Sequence, residues 1–135
     1  MKFRIQSFQF PITCVCILWS FCGCNQVIEV KFFIENATHY TLQARYYSRI
    51  TYDSVHHILA PMELWALDGR RVPLPRKSTA QPSFERDRRF VFGRIWNDSV
   101  LLKKNINWEQ FWKLKKTGPD TYEYHLQLDT SFFSP

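Results

Sequence analysis

The chain has 135 residues, 45% of them hydrophobic and 17% aromatic, with a formal net charge of +6. That length fits one domain and excludes a second of ordinary size. A chain of this size buries about two-thirds of its unfolded surface, so its core does not depend on disulfides.

The head of the chain reads as an export signal. Lys2 and Arg4 form a short positive region, and Ile12 to Phe21 is an apolar stretch ending near Gly23. This layout matches a secretory signal peptide over residues 1–23. A transmembrane helix needs about 20 apolar residues. This stretch is about half that and begins beside Pro11, so a signal-anchor is the weaker reading. All four cysteines, Cys14, Cys16, Cys22 and Cys24, fall in this head. Removing residues 1–23 leaves Cys24 at the new N-terminus with no cysteine to pair with. An exported domain ordinarily uses its cysteines in disulfides. A small residue, Gly23, precedes Cys24, as lipoprotein cleavage requires. The expectation is therefore lipidation at Cys24, with ordinary secretion and a stray thiol as the competing reading.

The rest, residues 24–135, reads as strands in chain order, from alternation with period two. Ile28, Val30, Phe32 and Ile34 share one face, with Glu29, Lys31 and Glu35 opposite. After the turn Asn36-Ala37-Thr38-His39, Tyr40, Leu42, Ala44 and Tyr46 alternate with Thr41, Gln43 and Arg45. These two runs are expected to form an antiparallel hairpin. Val55 to Leu59 is a third strand, ended by Pro61. Met62, Leu64 and Ala66 begin a fourth, closed by Asp68-Gly69. Its other phase, Trp65 and Leu67, is also apolar, so the strand is either buried on both faces or offers an aromatic patch.

Residues 68–89 break the pattern with Pro73, Pro75 and Pro82, which oppose a central strand. Seven cations stand here against Asp68, Glu85 and Asp87. The expectation is a long, exposed, mobile basic loop. Arg70, Arg71, Arg76 and Lys77 are its candidate contacts with an anionic surface, and the competing reading is a solvated connector. Phe90 to Ile95 resumes as a strand. Trp96-Asn97-Asp98 turns, Val100 and Leu102 follow, and Asn105 to Gln110 suggests a short helical turn. Trp112 and Leu114 alternate with Lys113 and Lys115. Thr117-Gly118-Pro119-Asp120 turns, and Tyr122, Tyr124, Leu126 and Leu128 face one way.

About seven short strands with regular turns predict an all-β, antiparallel β-sandwich of immunoglobulin-like type. Its expected core is Phe32, Ile34, Leu42, Leu64, Val100, Leu102, Tyr124 and Leu126. Two tripeptides, Asn36-Ala37-Thr38 and Asn97-Asp98-Ser99, fit the N-glycosylation pattern but also ordinary turn chemistry, and the turn reading is preferred.

The chain resembles the small lipoproteins of Bacteroidetes-type bacteria. The resemblance rests on Phe21-Cys22-Gly23-Cys24, Ile34-Glu35-Asn36-Ala37-Thr38-His39-Tyr40-Thr41-Leu42, Asn97-Asp98-Ser99-Val100 and Tyr122-Glu123-Tyr124-His125-Leu126. It implies a lipid-anchored β-sandwich of the cell envelope without an assigned activity. Surface export in such bacteria uses acidic residues just after the lipidated cysteine. Asn25 to Ile28 carry none, which implies an outer-membrane position facing the periplasm.

Little in the sequence points to catalysis. His56 and His57 are adjacent, so on a strand they face opposite ways. No Gly-x-Ser-x-Gly elbow or Gly-rich phosphate loop is present. The expectation is a protein that is not an enzyme, with no metal or other cofactor. It is held to the membrane by its lipid and acts by binding or as a structural component. Its candidate partners are anionic lipid, an envelope protein or a glycan, and nucleic acid is not expected, since no recognition motif is present. One alternative is a carbohydrate-binding or adhesin-like module using exposed aromatics, with Trp65, Trp96, Trp108 and Trp112 as a candidate sugar or peptide platform and Phe33, Tyr47 and Trp65 as a candidate exposed patch. A second is a hydrolase with an unrecognised site. An exposed aromatic cluster would favour the module, and convergent carboxylates in a cleft the hydrolase.

Overall fold

The structure, a computed structural model, describes residues 27–73 and 81–133. Its strands are β1 (Val27–Asn36), β2 (Leu42–Ser48), β3 (Ser54–Leu59), β4 (Leu64–Pro73), β5 (Phe90–Trp96), β6 (Lys113–Lys116) and β7 (Thr121–Leu128). A four-residue helix, α1 (Phe84–Asp87), precedes β5, and 3-10 turns occupy Glu109–Phe111 and Thr130–Phe132. The strands form two sheets, ordered β4-β1-β7-β6 and β3-β2-β5. The chain is thus all-β, with two sheets sharing one core.

The first two strands do not form the expected hairpin. β1 pairs with β4 and β7, and β2 pairs with β3 and β5. The segment between them crosses from one sheet to the other. β1 also runs parallel to β7, so the fold is not purely antiparallel as expected. The crossing is anchored by Asn36, which is fully buried. Its Nδ2 donates to the carbonyls of Tyr40, Leu59 and Ala60 at 2.7, 3.2 and 3.1 Å. Its Oδ1 accepts from the Thr38 N–H at 3.1 Å and the Thr38 hydroxyl at 2.7 Å. The tripeptide that fits the glycosylation pattern is therefore committed to turn and inter-sheet bonds.

Alternation explains the core. Ile28, Val30, Phe32 and Ile34 are buried from β1, and Tyr124, Leu126 and Leu128 from β7. Phe32 is its centre. Its ring meets Tyr124 stacked at 5.0 Å and Phe90, Phe84 and Trp112 edge-on at 5.1, 5.8 and 5.8 Å. Offset and edge-on pairs of this kind add to the burial of apolar area.

Three expectations change along the chain. Leu64 is 56% exposed rather than core. Met62 takes φ 62° in a turn closed by Glu63 N–H to the Ala60 carbonyl at 3.1 Å, so the strand starts at Leu64. Trp65 and Leu67 then lie opposite Ile34 and Phe32 and take the inward phase. Asp68-Gly69 does not end the strand. Two residues of β4 there face Lys31 alone, and pairing resumes at Arg70, which is a β-bulge. A Cβ on Gly69 would lie 1.9 Å from the Val30 carbonyl oxygen, so only glycine permits this approach. Val100 and Leu102 are half-buried against the core, beside one isolated bridge from Trp96 to Leu101.

The described parts of this segment, residues 68–73 and 81–89, are more structured than an exposed excursion. β4 runs through their first part, and α1 inserts Phe84, fully buried, beside Phe32. Trp112 is buried, but Leu114 is 48% exposed because β6 is a four-residue edge strand.

Asn36→Ala should lower the unfolding free energy by about 2–4 kcal/mol in denaturant titrations, because buried carbonyls lose their donor. Asn36→Asp aims a carboxylate at the same three carbonyls. Its loss of stability should be larger at pH 7 than at pH 4, where protonation restores a donor. Equal stability of the Asp variant at both pH values would show that the amide is not the tie between the sheets.

Candidate functional site

Cys24, Arg76 and Lys77 lie outside the described residues, as do residues 1–23 as a whole. The described cations of residues 68–89 are largely paired. Arg70 lies 3.7 Å from Asp87 and Arg71 3.5 Å from Glu29. Asp87, its side chain 1% exposed, accepts from Ser83 N–H at 2.7 Å and from Arg86 Nε at 2.9 Å. That carboxylate raises the pKa of Arg86, first by hydrogen bonding and then by its charge. Arg88 bonds Glu85 at 2.7 Å and the Asn107 carbonyl at 3.1 Å, with its guanidinium 5.4 Å over Phe84.

The three candidate aromatics do not gather. Phe33 stacks on His125 at 5.0 Å, on the outer face of the four-stranded sheet. Trp65 packs inward against Tyr46 and stacks on His57 at 4.1 Å. Tyr47 is exposed on the outer face of the three-stranded sheet.

That last face has a distinct composition. None of β2, β3 and β5 contains Asp or Glu. The acidic residues within strands, Glu29, Glu35, Asp68 and Glu123, all lie in the four-stranded sheet. On that sheet's outer face charge is balanced locally, with Glu29 at 3.7 Å from Lys31 and Glu123 at 2.8 Å from His125. On the three-stranded sheet, the pairing sets Ile58, Gln43 and Trp96 in one row and His56, Arg45 and Arg94 in the next. Ser54, Tyr47 and Val91 form a third.

Two like charges thus stand directly opposite. Arg45 pairs across the strands with Arg94, an arrangement that costs stability. Among the described residues neither joins a salt bridge. Both instead pack on Trp96, with guanidinium carbons 4.9 Å (Arg94) and 5.9 Å (Arg45) from the ring centroid. His56 stacks on the same indole at 5.8 Å and is held by Gln43 at 3.1 Å. Cation–π contact holds both guanidiniums over the indole, and both arginines are exposed. The register shift at Gly93 is a bulge, a device that re-aims the neighbouring side chain.

A cleft of about 530 Å³ adjoins this face along the outer edge of β5. It is lined by Gly93, Arg94, Leu102, Lys103, Asn105 and Asn107, among others, and none of its lining residues is acidic. The Asn107 amide bonds both the N–H and the carbonyl of Phe92 at 2.8 Å, and Leu102 N–H reaches the Ile95 carbonyl at 2.9 Å. Between those ties the chain bows away and leaves the cleft open.

Sequence reasoning placed Arg45 on an outward phase, named Trp96 among four tryptophans for a sugar or peptide platform and weighed His56 for a metal site, but did not single out Arg45 or Arg94. The available signal was the lack of Asp and Glu in three strands, visible as a property of one face only once their pairing is known. Other titratable groups serve local structure. The Glu63 carboxylate is held below its usual range by the Ala60 N–H and then by His57 at 3.1 Å. Asp129 is lowered chiefly by Ser131 at the following 3-10 turn. Comparison with known proteins gives no match to any protein family, curated protein or solved structure.

Tyr124 offers a pH test of the core beside Asp87 and Glu109. Its hydroxyl is buried without a hydrogen-bond partner among the described residues. Burial first, then the Glu109 and Asp87 charges, push its pKa up to about 12. The unfolded chain releases this proton near pH 10, so the stabilising contribution is complete below that and is lost as pH rises towards 12. Ultraviolet titration should show one tyrosine ionising only in step with loss of structure. Full tyrosine ionisation near pH 10 with the fold intact would contradict this placement.

Proposed function

We propose that this protein is a lipid-anchored component of the cell envelope that acts by binding, and that it binds through the outer face of β3-β2-β5. The observation that carries the reading is the Arg45–Arg94 pair. Stability alone disfavours two arginines in opposition, and a neighbouring carboxylate would relieve them. Instead their strands carry no acid, and Trp96 holds both guanidiniums at the exposed face. Such a pair is preorganised for carboxylate, phosphate or sulfate oxygens.

The anchor is the second part of the proposal. Cys24 is separated from β1 by Asn25 and Gln26 alone, so a lipid on its sulfur holds the domain within reach of the bilayer. The lack of acid just after Cys24 supports an outer-membrane position facing the periplasm. Binding rather than hydrolysis is favoured because the open face and its cleft offer cations and amides but no carboxylate to act as acid or base.

Two measurements test these parts. Metabolic labelling with a fatty-acid probe should mark the parent and not Cys24→Ser, and equal labelling of both removes the anchor. On phosphocellulose, Arg45→Ser with Arg94→Ser should elute at clearly lower salt than Lys113→Ser with Lys115→Ser. The second pair removes the same charge from the other sheet. Identical elution of the two variants would mean that net charge, not this face, governs binding.

A further inference from the structure

Resting on the binding reading above, we infer that the ligand is an acidic polysaccharide chain that crosses the Arg45–Arg94 face and turns over the edge of β5 into the cleft beside it. Arg94 belongs to both surfaces, through its pairing with Arg45 and its place in the cleft lining. From there the cationic path continues to Lys103, which is exposed and outside every salt bridge among the described residues. Lys104, also in the lining, is turned towards the 3-10 turn at Thr130–Phe132, bonding the Ser131 hydroxyl at 3.2 Å and lying 4.6 Å over Phe132. The cleft is of a size that holds a small ligand or a short stretch of a chain.

The shape of this path separates classes of anion. A bilayer presents its phosphates in a plane, which meets Arg45 and Arg94 but leaves the recess empty. An acidic peptide recognised by strand addition needs an open sheet edge. Here the β5 edge is closed on both sides of the recess, by Leu102 to Ile95 and by Asn107 to Phe92. Single-stranded nucleic acid gains much of its affinity by stacking bases on aromatic rings. Trp96 is already packed by Arg94, Arg45 and His56, and the exposed Trp108 is not part of the cleft. A sugar chain bearing carboxylate, sulfate or phosphate groups fits what is left. It bends, it carries regularly spaced anions, and its hydroxyls match the amide of Asn105 and the backbone of Gly93.

The test uses the mature chain with Cys24→Ser, titrated with size-fractionated dextran sulfate, uncharged dextran, vesicles rich in anionic phospholipid, polyglutamate and oligo-dT. Dextran sulfate should bind most tightly and uncharged dextran not at all. Arg45→Ser with Arg94→Ser should weaken dextran sulfate roughly tenfold at low salt. Lys103→Ser should lower the slope of log affinity against log salt by about one, without changing the circular dichroism spectrum. If the arginine variant loses binding while Lys103→Ser changes nothing, or if vesicles, polyglutamate or oligo-dT bind as tightly as dextran sulfate, this inference fails and the face remains a general anion surface. If the arginine variant binds dextran sulfate like the parent, the binding reading fails with it.

Discussion

The buried amide of Asn36 is the constraint on which the two-sheet arrangement rests. It satisfies the carbonyls of Tyr40, just before β2, and of Leu59 and Ala60, where β3 ends, while sitting at the end of β1, so one side chain fixes where the chain leaves one sheet and enters the other. A buried amide left unpaired is costly, and one that is fully bonded specifies a single geometry. The Asn36 N–H and carbonyl complete the node, donating to the Glu63 carbonyl at 3.0 Å and accepting from Met62 N–H at 2.8 Å. With β1 separated from β2, β1 is free to pair in parallel with β7, and β2 becomes the central strand of a sheet without acids.

That partition is what makes a surface. Phe32 gathers rings from α1, β5, β7 and the approach to β6 into the interior, and Phe90 and Phe92 take the inward phase of β5. The outward phase of the same strand then carries Arg94 and Trp96. The bulge at Gly93 shifts the phase by one residue, which places Arg94 opposite Arg45. Core packing and the candidate site are therefore two sides of one strand. The paired cations of residues 70–88 stand in contrast, since Asp87 draws Arg70 and Arg86 into structure rather than towards a ligand.

Much of the strand pattern was legible because alternation is a local property. Ile28 to Ile34 and Tyr124 to Leu128 bury the residues that the sequence marks, with Tyr122 half-buried at the start of β7. Strand partners were not legible. Two adjacent alternating runs with a turn between them read as a hairpin, and only the Asn36 bonds reveal that the turn changes sheets. Leu64 and Trp65 exchanged roles because both phases of that strand are apolar, so a one-residue difference in where the turn ends decides which is buried. Asp68-Gly69 reads as a turn by composition, yet the glycine serves a close approach to Val30 within a strand. Charge density was legible along residues 68–89, but charge balance was not, since ion pairs form through space. The Arg45–Arg94 pair joins residues from two separate runs, and no window along the chain contains both.

Amide chemical-shift mapping during a dextran sulfate titration tests the central claim most directly, because it reports every strand at once. If the acid-free sheet is the working surface, the perturbed amides will cluster on Gln43 to Tyr47, His56 to Ile58 and Gly93 to Lys103, with β1, β6 and β7 little affected. Perturbation centred on Lys113 to Lys116, or spread over the exposed cations without regard to sheet, would contradict it.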